Sequence, residues 1–355
     1  MTVDPSVRRL RRPVACRLKN QPPTTAAFSG TIQATRPPRL SVVRRDAHFS
    51  AVFLISMKVH YAKPYLTIDE QIDLLVKRGL RIRDRSVARD LLTGVNYYRL
   101  TGYAIPFSID REHFKPKADL SDLVAVYLFD RKARDVLAEA LEAIELGFRA
   151  AFCRAFAEGL GPLCYRNAAN FRSAQLFRNT LARIDAEIVR SNEPYIQHFK
   201  TNYLADEIPI WAAVEVCSFG TLTKLYSNLK KPYQQKIARV YSIKCDILDS
   251  YLHHLVVMRN CCAHHARLFD RKFFGYRPLN EWRNTQNAAL DTRTFFAQLL
   301  LVYRMLRSLP QICFDRKRWR RGVLRLLSAA PSCAVFDISR IMDIPPNFRK
   351  SKLWL

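Results

Sequence analysis

The strongest constraint on the fold lies in residues 121–158. Leu123, Val126, Ala133, Leu137, Leu141, Ile144, Phe148 and Phe152 recur there at helical spacing. They line one stripe of a single long helix, predicted to be capped by Ser121 or Asp122 and ended by Gly159 to Pro162. Glu142, Glu145 and Arg149 lie close to that stripe. Paired carboxylates serve acid/base chemistry, but on a helix they are more often solvated, with Glu145 and Arg149 an i,i+4 pair. A third reading has Glu145 orient an arginine from elsewhere in the chain, namely Arg259.

The rest of the chain repeats the helical pattern. Thr67-Ile68-Asp69-Glu70 is a capping box ahead of Ile72, Leu75 and Val76, with Gly79 as the stop. Asp84 can cap a second helix from about Ser86 to Leu92. Further helices are read over 172–190, from Pro209 to a break at Gly220, over 247–258, and over 291–309 with Asp291 or Thr292 as cap. Between them, Asn96-Tyr97-Tyr98-Arg99-Leu100-Thr101-Gly102-Tyr103 reads either as a base-stacking surface or as a packed aromatic corner. Nothing alternates with period two over a useful length, and only 10 of 355 residues are Gly, which favours an all-α chain.

Charge narrows the partner. The net charge is +27, of which +8 falls on residues 1–57 and +19 on the rest. A basic folded body implies a polyanion, nucleic acid before an acidic membrane face. Residues 1–57, rich in Arg, Pro, Thr and Ser, read as a disordered basic arm or as lying upstream of a true start at Met57. Residues 58–310 form the helical body. Residues 311–355 form a basic tail, either a phosphate-tracking arm or a solvated helix face. The nine cysteines are irregularly spaced, which reads as reduced thiols in a cytoplasmic protein. No apolar run reaches the ~20 residues that span a bilayer, so no membrane partner is expected.

Chemistry concentrates in Arg259-Asn260-Cys261-Cys262-Ala263-His264. Histidine titrates near neutrality and can take the proton of a ribose 2′-hydroxyl. Arginine can fork onto phosphate oxygens as charge builds there. Asparagine can fix the imidazole tautomer or hold the ribose. Asn260 and His264 share a helix face, and Arg259 reaches toward them only through its length. From spacing alone a basic surface helix is the stronger reading. Arg267, Arg271 and Lys272 follow as candidate nucleic-acid contacts. Cys261, Cys262, His264 and His265 are too crowded to converge on zinc from one helix, and the cysteines read as core residues. There is no phosphate loop, nucleophile elbow or metalloprotease motif, and no cofactor or metal is expected.

The wider constellation resembles the Abi-like (abortive infection) family, placed in the HEPN superfamily. It is carried by Lys63-Pro64, Arg78-Gly79-Leu80, Asn96-Tyr97-Tyr98-Arg99 with Gly102-Tyr103, and Tyr127-Leu128-Phe129-Asp130-Arg131. It continues through Ile144-Glu145, Arg149, Pro209, Trp211, Glu215, Ser218-Phe219-Gly220 and Leu225-Tyr226 to Arg259–His265 and Arg267-Leu268. The resemblance implies an all-α helical bundle of HEPN type with an N-terminal helical extension. It implies a metal-independent endoribonuclease of phage defence, with Arg259, Asn260 and His264 as motif residues and His265 as the alternative imidazole. HEPN enzymes pair two motifs across a two-fold axis, and this chain holds one, so a homodimer acting on RNA is expected. An antitoxin or phage trigger is left open. The alternatives are a non-catalytic RNA-binding or phage-sensing module, and a DNA-binding regulator built on residues 67–93.

Overall fold

In the computed structural model the described residues are 61–204, 207–278, 291–350 and 354. The expectations for residues 1–57 lie outside them. The chain divides into Met1–Ala62, described only at Tyr61 and Ala62, and Lys63–Leu355.

Within the second unit the long stripe becomes α4 (Leu120–Ala157), the axis of the fold. Its cap is Asp119, earlier than Ser121 or Asp122: the Asp119 carboxylate accepts from the Ser121 amide at 2.9 Å and its hydroxyl at 2.7 Å. Asp119 can serve there because Arg81 brackets it by backbone hydrogen bonds to Ala118 and Leu120, both at 2.9 Å. The sequence carries no local trace of that pairing.

Ahead of α4 come α1 (Ile68–Lys77), α2 (Arg85–Gly94) and α3 (Tyr97–Ala104). The capping box forms as expected, with the Glu70 carboxylate 2.7 Å from the Thr67 amide. Gly79 then takes a φ of 94°, which suits glycine at a helix stop. Asp84 caps α2, and Asn96 caps α3.

After α4 follow α5 (Ala174–Arg190), α6 (Pro194–Asn202), α7 (Ile210–Val216), α8 (Phe219–Asn228), α9 (Lys231–Val240) and α10 (Cys245–Ala263). The break expected at Gly220 falls instead at Ser218, whose hydroxyl caps α8, so Gly220 lies inside that helix. A short polar cap sets this boundary more strongly than a glycine's weak helix propensity.

The chain closes with α11 (Phe295–Leu306), α12 (Arg316–Ser328) and α13 (Ile338–Ile341). The helix expected over 291–309 starts later, behind Thr294, and it is not the last. Asp291 is drawn off to Arg293, at 2.9 Å, and does not cap it. The basic segment from residue 311 is helical too: Trp319 is buried in α12, and its indole N–H donates to the Val136 carbonyl of α4 at 2.8 Å. Thirteen α-helices and no strand occur among the described residues, so the chain is all-α.

Helices α3, α7, α8, α9, α10, α11 and α12 all pack on α4. Phe148, fully buried, meets the rings of Phe152, Phe219, Tyr226 and Tyr241 with centroids 5.9–6.2 Å away. Burying such a side chain contributes about 1.5–3 kcal/mol. Phe148 thus ties α8 and the end of α9 to α4. No helix of the described residues is long and apolar enough to cross a membrane.

Candidate active site at the end of α10

The motif lies in the last turns of α10. Leu248, Leu252, Leu255 and Met258 are buried, so this face of the helix is sequestered and Arg259, Asn260 and His264 turn outward. Cys261 and Cys262 face the core as expected. Burial raises both thiols, Cys262 to about 12, which keeps it protonated at neutral pH.

Arg259 sits at the margin between core and solvent. Its Nε lies 3.1 Å from Oε2 of Glu145 on α4, and its side chain is 40% exposed. The other carboxylate oxygen, Oε1, accepts from Nη2 of Arg149 at 2.5 Å. Arg149 also donates to the Val214 carbonyl of α7. One buried carboxylate thus holds two guanidinium groups and ties together α4, α7 and α10. Removing it would leave charges buried without a partner, the costly situation for ion pairs. The contact engages the Nε edge of Arg259 and leaves its terminal NH₂ groups for another partner.

His264 closes α10 and is exposed. Its ring and the Asn260 amide have no hydrogen-bond partner among the described residues. Asn260 therefore does not fix the tautomer here and remains available to a ligand.

The stop after His264 uses no glycine. The His265 amide donates to the Cys262 carbonyl at 3.1 Å, and the Ala266 amide to the Cys261 carbonyl at 2.8 Å. This is a Schellman motif, and His265 occupies its left-handed position with φ 54°. A left-handed non-glycine residue costs about 1–2 kcal/mol. His265→Gly is expected to raise stability by about 0.5–1 kcal/mol, because glycine's greater unfolded-state entropy offsets part of the relief. Thermal unfolding should show the midpoint rising by about 1–3 °C. A lower midpoint would mean the imidazole makes a contact that outweighs the strain.

The segment after the motif is clamped by side chains of α3 and α4. Asp130 of α4 is fully buried. Its Oδ1 accepts from the Leu268 and Phe269 amides at 3.0 and 2.7 Å, and its Oδ2 accepts from the Tyr103 hydroxyl at 2.6 Å. Arg134 donates to the same Oδ2. Burial and the neighbouring Asp130 push the Tyr103 phenol up, so it stays a donor. Arg99 of α3 donates to the His265 carbonyl, and Arg267 to the Gly102 carbonyl. The tyrosine-rich stretch is thus a packed corner of α3 that holds the motif loop. A sequence signal existed: Asp130 and Arg134 stand four apart within an apolar stripe.

Each of the three candidate nucleic-acid contacts has a neighbour within the chain. Arg267 is spent on Gly102 and lies 4.0 Å from Asp270. Arg271 stands over the Phe273 ring, 5.7 Å from its centroid, and Lys272 lies 3.8 Å from Asp291. No group of three or more His, Cys, Asp or Glu arranged for a metal occurs among the described residues.

These features define an all-helical, strongly basic protein whose arginine–histidine motif ends a helix over a carboxylate-tethered arginine. The sequence profile of Abi-like proteins matches residues 90–270, just over half of the chain and inside the stretch that carries the resemblance. The chain belongs to the Abi-like protein family. The family description connects it to abortive infection, a form of phage defence. No curated protein and no solved structure matches the chain.

Proposed function

We propose that this protein is an endoribonuclease of phage defence, of HEPN type, that cleaves RNA without a metal and works as a homodimer in the cytoplasm. The observation that carries this reading is the pairing of a half-exposed Arg259, held through Nε by buried Glu145, with an exposed, unpartnered His264 at the end of the same helix. In this scheme His264 takes the proton of a ribose 2′-hydroxyl, and the resulting alkoxide attacks the adjacent phosphorus. The terminal NH₂ groups of Arg259 meet the charge that builds on the non-bridging oxygens, and Asn260 holds the ribose. The P–O5′ bond breaks, the 5′-oxygen takes up a proton from water, and the hydroxide so formed takes the proton held by His264, restoring the neutral imidazole. Two copies related by a two-fold axis would bring two motifs to one strand.

The products test the scheme directly. Purified protein in chelator-containing buffer is expected to leave 2′,3′-cyclic phosphate and 5′-hydroxyl ends on a single-stranded RNA, detected by end-specific labelling. Ends carrying a 3′-hydroxyl and 5′-phosphate, or cleavage abolished by the chelator, would refute it.

The Glu145–Arg259 pair also suits a second reading, a non-catalytic RNA-binding or phage-sensing module in which the arginine is structural. Growth separates the two. Toxicity on overexpression that Arg259→Ala and His264→Ala both remove supports the nuclease, and toxicity that survives both supports the module.

A further inference from the structure

The N-terminal half of α10 borders a second polar region. A cleft of about 410 Å³ opens there, lined by residues of α8, α9, α10 and the segment after α10. A second chamber of about 410 Å³ shares Arg172, Ser227 and Asp249 with it. Both volumes suit a small organic ligand.

Three independent features favour an anion with a polar body. First, cations outnumber their partners. Asp246 is taken by Arg277 at 3.1 Å, and Asp249 accepts the Ser227 hydroxyl. Lys231 in the first chamber, Arg183 and Lys224 in the second, and Arg172 between them have no carboxylate partner among the described residues, although Arg172 donates one N–H to the Ser227 carbonyl and Lys231 lies 3.7 Å from the Cys245 sulfur. Second, Lys231 opens α9, while Cys245 and Asp246 open α10, and neither helix has a side-chain cap. At α10 the Cys245 and Asp246 amides and the positive end of the helix dipole remain available at the cleft, whereas α9 has proline at its second position and its next two amides donate to the Lys230 carbonyl. Third, His254 lines the cleft, is 2% exposed, and neither ring nitrogen has a hydrogen-bond partner. Burial lowers its pKa to about 4, so at neutral pH it offers one donor and one acceptor. Buried polar atoms are nearly always satisfied, so this unsatisfied imidazole, closed to solvent at the cleft wall, marks where the wall must yield to a ligand's polar edge.

We propose that this two-chambered cleft binds a nucleotide unit, with its phosphate against Arg172, Lys231 and the N-terminus of α10. The second chamber, with Leu176, Asn179 and Thr180 in its wall, takes the nucleoside. His254 precedes His264 by ten residues, about 15 Å along α10. The same chemistry serves a free mononucleotide or one unit of a strand. Only the strand arm rests on the RNA reading above.

The test uses the full chain carrying His264→Ala, so that binding is read whether or not the protein cleaves RNA. Calorimetric titration with adenosine monophosphate, and separately with a five-nucleotide single-stranded RNA, is compared with Lys231→Gln and Lys224→Gln added. Both lysines are exposed, so neither change should unfold the chain. Mononucleotide binding weakened at least tenfold by Lys231→Gln assigns the site to a free nucleotide. Binding of the oligonucleotide alone, weakened likewise, assigns it to a strand. The absence of binding by either probe, or affinities unchanged in both lysine variants, overturns the proposal. RNA binding lost only on Arg259→Ala would leave the nuclease reading standing and remove this site.

Discussion

His264→Ala is expected to lower the rate of RNA cleavage by about 10²–10⁴, the range that a general base contributes. The imidazole is exposed and makes no hydrogen bond among the described residues, so its loss should leave the fold intact. The substitution separates chemistry from stability: single-turnover cleavage should collapse while the unfolding free energy changes by less than about 0.5 kcal/mol. His265→Gly is the matched control, because His265 differs in role although it is the neighbouring residue. It supplies the left-handed stop and a carbonyl to Arg99, and glycine keeps both. Cleavage retained by His265→Gly and lost by His264→Ala identifies the base. The reverse result would move the chemistry to His265 and sink the assignment.

Asp130→Ala is expected to destabilise the protein by about 3–5 kcal/mol, the loss seen when one partner of a buried ion pair is removed. The carboxylate is fully buried, and its removal strands Arg134, the Tyr103 hydroxyl and the Leu268 and Phe269 amides together. Urea unfolding at neutral pH would measure this as a lower midpoint with a similar slope. Asp130→Asn should cost less, since an amide oxygen still accepts from the two backbone amides while Arg134 loses its counter-charge. A loss below about 1 kcal/mol for the alanine variant would show that water or a rearranged loop replaces the carboxylate. Because the same carboxylate anchors the chain just past His264, the alanine variant should also lose cleavage at temperatures where it remains folded.

Much of this architecture could be read before the structure. The apolar stripe of α4, the Thr67–Glu70 box, the Asp84 cap and the Gly79 stop are all local, and each formed where expected. The boundaries that differed involve competition. Asp119 caps α4 because Arg81 pairs with its flanking backbone, Ser218 and not Gly220 divides α7 from α8, and Asp291 is drawn off to Arg293. The end of α10 carries no glycine, so its left-handed stop at His265 had no sequence signal. The suggestion that Glu145 orients Arg259 is matched by their 3.1 Å contact. That the tyrosine-rich stretch is a packed corner was one of its two readings, but the partners of Asp130, Arg99 and Tyr103 were not visible, since they lie more than 100 residues away or on another helix.

What the sequence determined by itself was periodic or local. Apolar residues recurring every three or four positions can satisfy their backbone and bury one face only as helices, and short polar residues beside those runs set most helix starts. The family, too, was legible from the order of its residue blocks. Tertiary structure alone decided which charges are spent. Arg267 and Arg149 read as candidates for function or solvent and turn out to be held by carbonyls and a carboxylate, whereas Arg259 keeps one edge toward water. The physical reason is that a charge's availability depends on what the packed helices bring within about 4 Å of it, where a counter-charge is worth most. No window of sequence contains that distance.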